Sequence, residues 1–389
     1  MDISKEEEFM LNGDMGEGTR IAMEIILKLG EYYGARNTVK IENVQISGIS
    51  YKNLGNYGID LLKKFKDSKI KVPSYLNPIG FDLDYIEFFT NNNEFIKGQM
   101  EILDIFKSLG AHLSLTCTPY YLFEPKLNDH IAWAESSAIV YANSVLGART
   151  NRESGISALA AALTGRAANY GLHLDKGRKA TVQVDFDFNP GFFDYAVIGL
   201  FLGSRIKNGI PYFRNLENNK DALKSLGAAL NASGSIPMFH AENITPEYKN
   251  AIQERVEKLI ISRVEINNFR LSITANIDPD VVMIGCPHLS HEELKNISEF
   301  IKRRKVKNGK DLIFFTSRKV REESMDYVNI IKNSGAKIFT DTCMVVSPLQ
   351  ERYSVVGLNS GKATYYVGKE RKVFFSDMET LMEMVTDEN

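Results

Sequence analysis

The segment Val281–Cys286, with the sequence VVMIGC, is an unbroken apolar run that ends in a glycine and a cysteine. Such a run is typical of a strand that is buried on both faces of a parallel sheet. A helix is predicted to begin at Ser290, soon after the turn. The segments Asp311–Phe315 and Ala336–Thr340 are predicted as two further strands with a helix between them. Strands that alternate with helices in this way predict an α/β fold.

The same alternation extends through the rest of the chain. Helices are predicted at Glu17–Leu29, Asn92–Leu109, Trp133–Val145 and Ile156–Leu163, and strands at Val39–Ile46, Leu113–Thr116 and Thr181–Phe188. The last two of these helices, Trp133–Val145 and Ile156–Leu163, are rich in alanine and serine, which favours close packing. The polar stretch Ser204–Lys224 contains glycine and asparagine, and it predicts a border between two lobes, 1–205 and 225–389.

The composition is that of a soluble globular protein. Of the 389 residues, 44% are hydrophobic and 25% are charged, and the formal net charge is −2. A near-neutral chain lacks the basic face expected of a nucleic-acid partner, and no apolar run approaches the ~20 residues of a membrane span. The acidic start Met1–Glu8 does not have the order of a signal peptide. Because the cysteines have no paired spacing, we expect a protein of the reducing cytoplasm.

Three cysteines lie far apart in the sequence but in similar surroundings. Cys117, Cys286 and Cys343 each follow a predicted strand on a turn-like segment, where the loops of α/β sheets build their sites. Three thiolates can hold a four-iron cluster and leave one iron without a protein ligand, free to act as a Lewis acid. The alternative is three unrelated thiols, because free cysteine is among the most buried residue types.

Two other motifs suggest sites of a different kind. Cys286, His288 and His291 lie close enough in sequence for a zinc site, although no second pair at finger-like spacing exists. The glycines at positions 13, 16 and 18 imitate a dinucleotide-binding loop, but they precede the first predicted strand instead of following one. A nucleotide site at these glycines is therefore excluded by its context.

An ordered set of motifs makes the chain similar to one known family. The motifs are LNGDMGEG at Leu11–Gly18, ISGISY at Ile46–Tyr51, LNP at Leu76–Pro78, TCTPY at Thr116–Tyr120, IAWAESSA at Ile131–Ala138, NSVLGARTNR at Asn143–Arg152, GCPH at Gly285–His288, DTC at Asp341–Cys343 and NSGKA at Asn359–Ala363. From Leu11 to about Tyr366 the chain resembles the catalytic region of the aconitase X family, a divergent branch of the aconitase superfamily.

The resemblance implies an iron–sulfur hydro-lyase with a multi-lobed, aconitase-like α/β/α architecture. It implies that Cys117, Cys286 and Cys343 hold a [4Fe–4S] cluster with one open iron, and a three-iron form would use the same cysteines after oxidation. Dehydration expels hydroxide, which is a poor leaving group, and a metal centre stabilises the departing oxygen. A base must also take a proton from the neighbouring carbon.

Longer members of this family carry a C-terminal swivelling domain, whose serine is the expected base. This chain ends at Asn389, so we expect residues 1–389 to be the catalytic region alone, without the swivel domain. The resemblance then implies a heterodimer, in which a separate small subunit supplies the swivel domain and the base.

The resemblance is strongest to the archaeal large subunits that dehydrate (R)-5-phosphomevalonate to trans-anhydromevalonate 5-phosphate in isoprenoid biosynthesis. The first alternative is the dehydration of cis-3-hydroxy-L-proline, the other activity of the family. A second alternative is a non-catalytic iron–sulfur protein that uses His112 or His288 as a fourth ligand. A zinc-binding interaction module is a third.

The resemblance also implies contacts to a small anionic substrate. The matching positions are Gly48, Ile49, Ser50, Asn77, Pro78, Glu135, Ser136 and Lys362, of which Glu135 and Lys362 are the candidate catalytic residues on this chain. Glu135 lies among apolar and small residues, so it is either functional or paired with Arg149 or Arg152. These two arginines are three residues apart, and on one face of a helix they would form a two-armed clamp for an anion.

Overall fold

The computed structural model describes residues 1–207, 209–252 and 256–388. Helices and strands alternate along almost the whole of these ranges. The α-helices are Lys5–Leu11 (α1), Glu17–Tyr32 (α2), Tyr51–Lys63 (α3), Ile86–Phe89 (α4), Asn93–Leu109 (α5), Ser136–Tyr141 (α6), Gly155–Thr164 (α7), Asp194–Arg205 (α8), Lys220–Gly234 (α9), Tyr248–Ala251 (α10), Arg263–Ile273 (α11), His291–Ile301 (α12), Arg318–Glu323 (α13), Met325–Asn333 (α14), Gly361–Val367 (α15) and Met378–Val385 (α16).

The strands are short, apart from one near the middle of the C-terminal half. They are Thr38–Lys40 (β1), Val44–Ile46 (β2), Ser74–Leu76 (β3), Ala132–Trp133 (β4), Arg166–Ala168 (β5), Val182–Phe186 (β6), Pro211–Phe213 (β7), His240–Ala241 (β8), Glu257–Ile261 (β9), Val281–Leu289 (β10), Arg304–Val306 (β11), Asp311–Thr316 (β12), Lys337–Phe339 (β13), Val355–Leu358 (β14), Lys372–Phe375 (β15) and Thr386–Glu388 (β16).

Three parallel sheets organise the described chain. The largest has five strands in the order β13-β12-β10-β14-β15, and the others have the orders β8-β7-β6-β9 and β3-β2-β4. Strand β10 is buried along its whole length and pairs in parallel with β12 and β14, with Val281 opposite Asp311 and Val356. The apolar run at Val281–Cys286 is therefore a central strand, and the prediction of an α/β fold is confirmed.

Two predicted strands differ from the structure. The segment Val39–Ile46 is divided into β1 and β2, because β1 pairs antiparallel with β5 whereas β2 joins the parallel strands β3 and β4. The segment Leu113–Thr116 is not a strand. Leu115 has a positive φ of 44°, and the Thr116 N–H donates to the carbonyl of Leu76 at 3.0 Å. This irregular path leads the chain past the end of β3 and into Cys117.

The predicted helix at Trp133–Val145 begins later than expected. Trp133 belongs to β4 and its indole N–H donates to Asn43, so the first turn of helix starts only at Ser136. From Ala142 to Leu146 the helix widens into a π-helix. The other predicted helices lie where the sequence placed them, and Ser290 caps α12 with its hydroxyl. No helix in the described ranges combines the length and the apolar character that a bilayer crossing requires.

Glycines allow the central helices to approach each other closely. A Cβ atom added at Gly199 in α8 would lie 2.5 Å from the Cβ of Ala229 and 2.8 Å from the carbonyl oxygen of Leu226, both in α9. The polar stretch 204–224, where a lobe border was expected, thus connects two helices that pack on each other. A Cβ at Gly361 would lie 2.6 Å from the carbonyl oxygen of Ala196. This close contact places the start of α15, which includes Lys362, directly against α8.

The substitution Gly199→Ala tests this close packing. A methyl group there meets backbone atoms that cannot move aside, and overpacking of this kind costs about 1–3 kcal/mol, which exceeds the ~1 kcal/mol that alanine gains in a helix. We expect a lower urea midpoint. Gly191→Ala is the matched control, because its added Cβ would find Asp194 at an ordinary 3.6 Å. An unchanged midpoint for Gly199→Ala would show that α8 and α9 can separate without cost.

Candidate functional site

A cavity of about 180 Å³ lies between the three-stranded and the five-stranded sheets. Most of the residues that line it belong to β10 or to segments at the carboxyl ends of β2, β3, β4, β13 and β14, whereas Cys117 and Arg152 lie on irregular segments. They are Ser47, Gly48, Ile49, Ser50, Asn53, Asn77, Pro78, Cys117, Ala134, Glu135, Ser136, Arg152, Cys286, Cys343, Val345, Val346, Lys362 and Tyr366. The carboxyl ends of parallel strands are the usual place for sites in α/β folds, so this is the candidate active site.

The three cysteines meet in this cavity, although 169 and 57 residues separate them along the chain. Cys117, Cys286 and Cys343 are free thiols and are only 5–7% exposed. A larger cavity of about 650 Å³ also touches Cys286, but Cys117 and Cys343 do not line it. The smaller cavity is therefore the one that fits a site shared by all three thiols.

His288 connects the three segments that carry the cysteines. Its Nε2–H donates to the carbonyl of Thr342 at 2.9 Å, and its Nδ1 lies 2.9 Å from the hydroxyl of Thr116. The backbone N–H of His288 donates to the Sγ of Cys117 at 3.2 Å. Burial lowers the pKa of this imidazole to about 4. The ring is therefore neutral at neutral pH, and Nδ1 accepts the hydrogen of the Thr116 hydroxyl.

The surroundings of the thiols suit a cluster held by thiolates. Burial raises the pKa of all three thiols, that of Cys286 to about 12, and the ammonium of Lys362 acts in the opposite direction on each. The hydroxyl of Ser360 also lowers the pKa of Cys286, and the N–H groups of Val346 and Val345 lower that of Cys343. A positive charge and N–H or O–H donors near sulfur stabilise a thiolate bound to iron. The residues present therefore fit an iron–sulfur cluster.

The zinc hypothesis is wrong. Both ring nitrogens of His288 have partners within the protein, and the Nδ1 of His291 lies 2.8 Å from the hydroxyl of Ser324. Across the described ranges, no three His, Cys, Asp or Glu side chains form a group that could hold a single metal ion. One zinc ion needs all its ligands within about 2.3 Å, whereas each thiolate of a cluster binds a different iron. Three thiols that line one cavity but do not converge on a single metal position are consistent with a cluster.

Neither histidine considered as a fourth cluster ligand is in place for that role. The imidazole of His288 is fully used by Thr116 and Thr342. His112 stacks on Tyr75 and is not among the residues that line the cavity. In the part of the chain that the structure describes, three cysteines remain the candidate ligands.

Glu135 and Lys362 form a buried ion pair at the wall of the cavity. The carboxylate of Glu135 also accepts hydrogen bonds from Asn77 Nδ2 at 2.7 Å and from the hydroxyl of Ser136 at 3.0 Å. Burial alone would raise the pKa of Glu135, but Lys362, Asn77 and the backbone N–H of Ser137 lower it to about 2. Burial lowers the pKa of Lys362 less than Glu135 and the thiols raise it. Both groups are therefore charged at neutral pH.

Gln45 supports the Glu135–Lys362 ion pair through hydrogen bonds to Asn77 and to the backbone of Glu135. Its Nε2 donates to the Oδ1 of Asn77 at 3.0 Å, and its Oε1 accepts the backbone N–H of Glu135 at 2.8 Å. The partner of Glu135 is thus Lys362, and neither Arg149 nor Arg152 pairs with it. The polar Gln45 inside an otherwise apolar strand was the signal in the sequence that this buried network exists.

The expected clamp of Arg149 and Arg152 does not form. The two residues lie on an irregular segment between the π-helix and α7, so they do not share a helical face. Arg149 lies outside the lining of the cavity and binds Asp175 at 2.5 Å and the carbonyl of His173 at 3.0 Å. Arg152 lines the cavity. The other predicted contact residues, Gly48, Ile49, Ser50, Asn77, Pro78, Glu135, Ser136 and Lys362, also line it.

Comparison with known proteins identifies the fold and the family. Models of the first, second and third domains of aconitase X match residues 1–176, 179–271 and 279–387. The chain belongs to the aconitase X family. Each of the three matched regions contains one of the parallel sheets. A crystal structure of Thermococcus kodakaraensis aconitase X in its holo-form superimposes with a TM-score of 0.92 at 41% identity, over 99% of this chain and 100% of that one.

Two curated aconitase X relatives carry the name phosphomevalonate dehydratase large subunit. The protein from Methanosarcina mazei is 45% identical over 94% of this chain and 92% of its own length. The protein from Methanocaldococcus jannaschii is 42% identical over 98% of this chain and 100% of its own length. A cis-3-hydroxy-L-proline dehydratase from Pseudomonas aeruginosa is 31% identical, and the match covers 62% of that protein.

His288→Ala tests whether the imidazole holds the cysteine segments in place. The substitution leaves the Thr342 carbonyl without its side-chain donor, which costs about 1–3 kcal/mol for a buried group, whereas the Thr116 hydroxyl keeps its contact with Thr118. In the metal-free chain we expect faster reaction of the cysteines with a thiol reagent, because their segments open more often.

His240→Ala is the matched control. His240 is equally buried and donates to the carbonyl of Arg178 at 2.7 Å, but it is not near the thiols. The His240→Ala substitution should lower the free energy of unfolding without raising the reactivity of the three cysteines. Equal rates of thiol modification in the two variants would contradict the role given to His288.

Proposed function

We propose that this chain is the large subunit of a phosphomevalonate dehydratase, which removes water from (R)-5-phosphomevalonate to give trans-anhydromevalonate 5-phosphate in isoprenoid biosynthesis. The observation that carries the proposal is one cavity lined by three buried thiols and by the Glu135–Lys362 pair. The relatives that bear this name match over nearly their whole length. Those named for hydroxyproline are more distant and longer than the matched region.

Cys117, Cys286 and Cys343 would hold the iron–sulfur cluster, as a [4Fe–4S] form with one iron open. When bound, the cluster supplies a Lewis acid for the loss of the hydroxyl group. Lys362 presents an ammonium group to an anionic substrate, and Asn77 and Ser136 keep Glu135 oriented. With hydrogen bonds from two neighbouring elements, this part of the site is held in position before substrate arrives.

The described lining of the cavity holds no strong base. Its one carboxylate belongs to Glu135, whose pKa of about 2 makes it a poor acceptor for a proton on carbon. Lys362 stays protonated because the pKa of its ammonium is raised. We therefore infer that the base comes from a separate small subunit with a swivel domain, which would close over the cavity in a cytoplasmic heterodimer. The names of the relatives, which specify a large subunit, support this arrangement.

Anaerobic reconstitution with iron, sulfide and a candidate small subunit tests the proposal. Phosphomevalonate and cis-3-hydroxy-L-proline should be assayed side by side, with the product identified by mass spectrometry. We expect turnover of phosphomevalonate only, and only with both cluster and small subunit present. Turnover of hydroxyproline alone would show that hydroxyproline is the substrate in place of phosphomevalonate. Turnover without the small subunit would refute the assignment of the base to that subunit.

Loss of any one thiol should abolish iron retention and activity. We expect Cys117→Ala, Cys286→Ala and Cys343→Ala to bind no stable cluster after reconstitution, as measured by iron content and visible absorbance. Unfolding of the metal-free variants should resemble that of the metal-free wild type, which serves as the control for folding. If a variant retains a full complement of iron, the substituted cysteine is not a ligand of the cluster.

Lys362→Met should weaken substrate binding without loss of the cluster. An interaction with a charged group contributes about 1.5–3 kcal/mol, so we expect KM to rise roughly 10- to 100-fold at unchanged iron content. The single change also leaves Glu135 as an unpaired buried charge, which costs about 3–5 kcal/mol. The double variant Lys362→Met/Glu135→Gln removes that penalty and is therefore the matched control for folding. Loss of the cluster in the double variant would show that Lys362 is structural.

The same pair predicts a pH dependence of stability. The pKa of Glu135 is about 2 in the folded chain, below the 4.5 of an unperturbed glutamate. Its contribution to stability is therefore complete above pH 4.5 and is lost as the pH falls through about 2. The wild type should lose more stability than the double variant between these values, as measured by urea unfolding of the metal-free forms. Parallel curves would contradict the ionised pair.

A further inference from the structure

The molecule has a second cleft, with a volume of about 560 Å³. Its walls come from α8, α9 and α11 and from α15 and β15, so it lies between the regions that the second and third domain models match. Among the described residues, none lines both this cleft and the candidate active site. The volume is typical of small-molecule sites, which often occur between domains.

The described lining of the cleft is positively charged, because it contains three basic residues and no acidic one. The basic residues are Lys369, Arg371 and Lys372, and Glu370 does not line the cleft. Neither lysine forms an ion pair with another residue in the part of the chain that the structure describes. The guanidinium of Arg371 donates to three backbone carbonyls and to no described carboxylate. Three cations without a counter-charge favour an anionic ligand.

The wall of the cleft also contains a buried hydroxyl without a partner. Thr364 lines the cleft and is only 7% exposed, and its Oγ1 has no hydrogen-bond partner within the described chain. A helical threonine can donate from this oxygen to the carbonyl four residues earlier, as Thr164 does to Ala160 at 2.8 Å. Because a buried hydroxyl without a partner is unusual, Thr364 indicates a ligand that accepts its hydrogen.

Part of the cleft is apolar. Leu200, Phe269, Ile273 and Val373 line it, and of these Leu200 and Val373 are buried. An inorganic anion would leave these side chains uncovered, whereas an organic anion would remove their surface from water and gain affinity from it. The cleft therefore suits a ligand with one charged group and one hydrocarbon group.

We propose that this cleft binds a small organic phosphate that carries a hydrocarbon group. The phosphate, with almost two negative charges at neutral pH, binds the ammonium groups of Lys369 and Lys372 and accepts the hydrogen of the Thr364 hydroxyl. The hydrocarbon group packs against Phe269 and Ile273. A carboxylate brings only one charge to three cations, so a phosphate fits the cleft better. Binding at this site does not depend on the proposed function.

Helix α15 forms part of the wall of both the cleft and the candidate active site. Lys362 and Tyr366, one turn apart, line the candidate active site, whereas Thr364 and Tyr365 line the cleft. The ammonium of Lys369 lies 4.4 Å from the centre of the Tyr365 ring, and this ring packs edge to face on Tyr366 with 5.3 Å between centroids. The two ligand positions are therefore separated by one short helix.

This shared helix predicts that the two ligands oppose each other. A phosphate in the cleft and an anionic substrate in the candidate active site carry like charges, which repel across α15. We expect an occupied cleft to weaken substrate binding, and by linkage the substrate weakens binding in the cleft by the same factor. This part of the inference rests on the proposed function, because it needs an anionic substrate.

Calorimetric titration of the reconstituted two-subunit enzyme with inorganic phosphate, propyl phosphate and pentyl phosphate tests the site. We expect affinity to rise along this series, by about fourfold for each methylene that becomes buried. Equal affinities for inorganic and pentyl phosphate would refute the apolar part of the site. Co-sedimentation of the enzyme with phosphatidylglycerol vesicles, dependent on Lys369 and Lys372, would show that the ligand is a membrane surface and refute a free organic phosphate.

The variant Lys369→Met/Lys372→Met should weaken the binding of pentyl phosphate at least tenfold. Thr364→Val should weaken it at least threefold, because valine keeps the shape of threonine without the hydroxyl. The matched control is Lys28→Met/Lys64→Met, which removes two exposed charges that line neither the cleft nor the candidate active site. Urea midpoints of all variants establish that they are folded.

Steady-state kinetics test the opposition between the two ligands. Pentyl phosphate should raise KM for phosphomevalonate at least twofold and then reach a plateau, because a ligand at a separate site does not exclude the substrate. The Lys369→Met/Lys372→Met variant should show no such rise. An unchanged KM in the wild type would refute the opposition across α15.

The outcomes separate this site from the proposed function. If Lys369→Met/Lys372→Met binds pentyl phosphate as tightly as Lys28→Met/Lys64→Met while phosphomevalonate is turned over, the cleft site is refuted and the proposed function stands. If binding depends on Lys369 and Lys372 but phosphomevalonate is not a substrate, the cleft site stands and the proposed function fails.

Discussion

The hydrogen bonds of His288 join the three segments of the chain that carry the cysteines. The residue follows Cys286 on the central strand of the five-stranded sheet, and its ring reaches the segment before Cys117 on one side and that before Cys343 on the other. Because burial keeps the imidazole neutral, it donates from one nitrogen and accepts at the other. A lysine or a protonated histidine could not accept in this way, so the neutral ring is the form that fits the position.

The charges around the cavity follow a simple arrangement. Near the thiols, the opposite charges of Glu135 and Lys362 cancel, so these two side chains together add no net charge to the cavity. Arg152 also lines the cavity, is exposed, and makes no ion pair with any residue that the structure describes.

Much of this arrangement could be predicted from the sequence, and the failures have physical causes. The buried strand β10 and the helices α2 and α5 were predictable because their apolar periodicity is unbroken. The short segment Leu113–Thr116 imitates a strand, but its neighbours in space are the end of β3 and the next cysteine segment, which no local pattern encodes. Nine of the ten predicted substrate contacts line the cavity. They were predicted from motifs shared with a family, and such motifs reflect which residues lie together in the folded protein. The partner of Glu135 was missed because the two residues are 227 positions apart.

The separation of these parts along the chain has a consequence for biosynthesis. The three cysteine segments and Lys362 lie at the ends of two different sheets and far apart in the sequence, and contacts between residues so distant in sequence form slowly. Iron acquired before those contacts exist would meet isolated thiols in an open chain. A cluster that needs all three cysteines would therefore be acquired only after these contacts form, and a loaded subunit would mark a chain whose folding is complete.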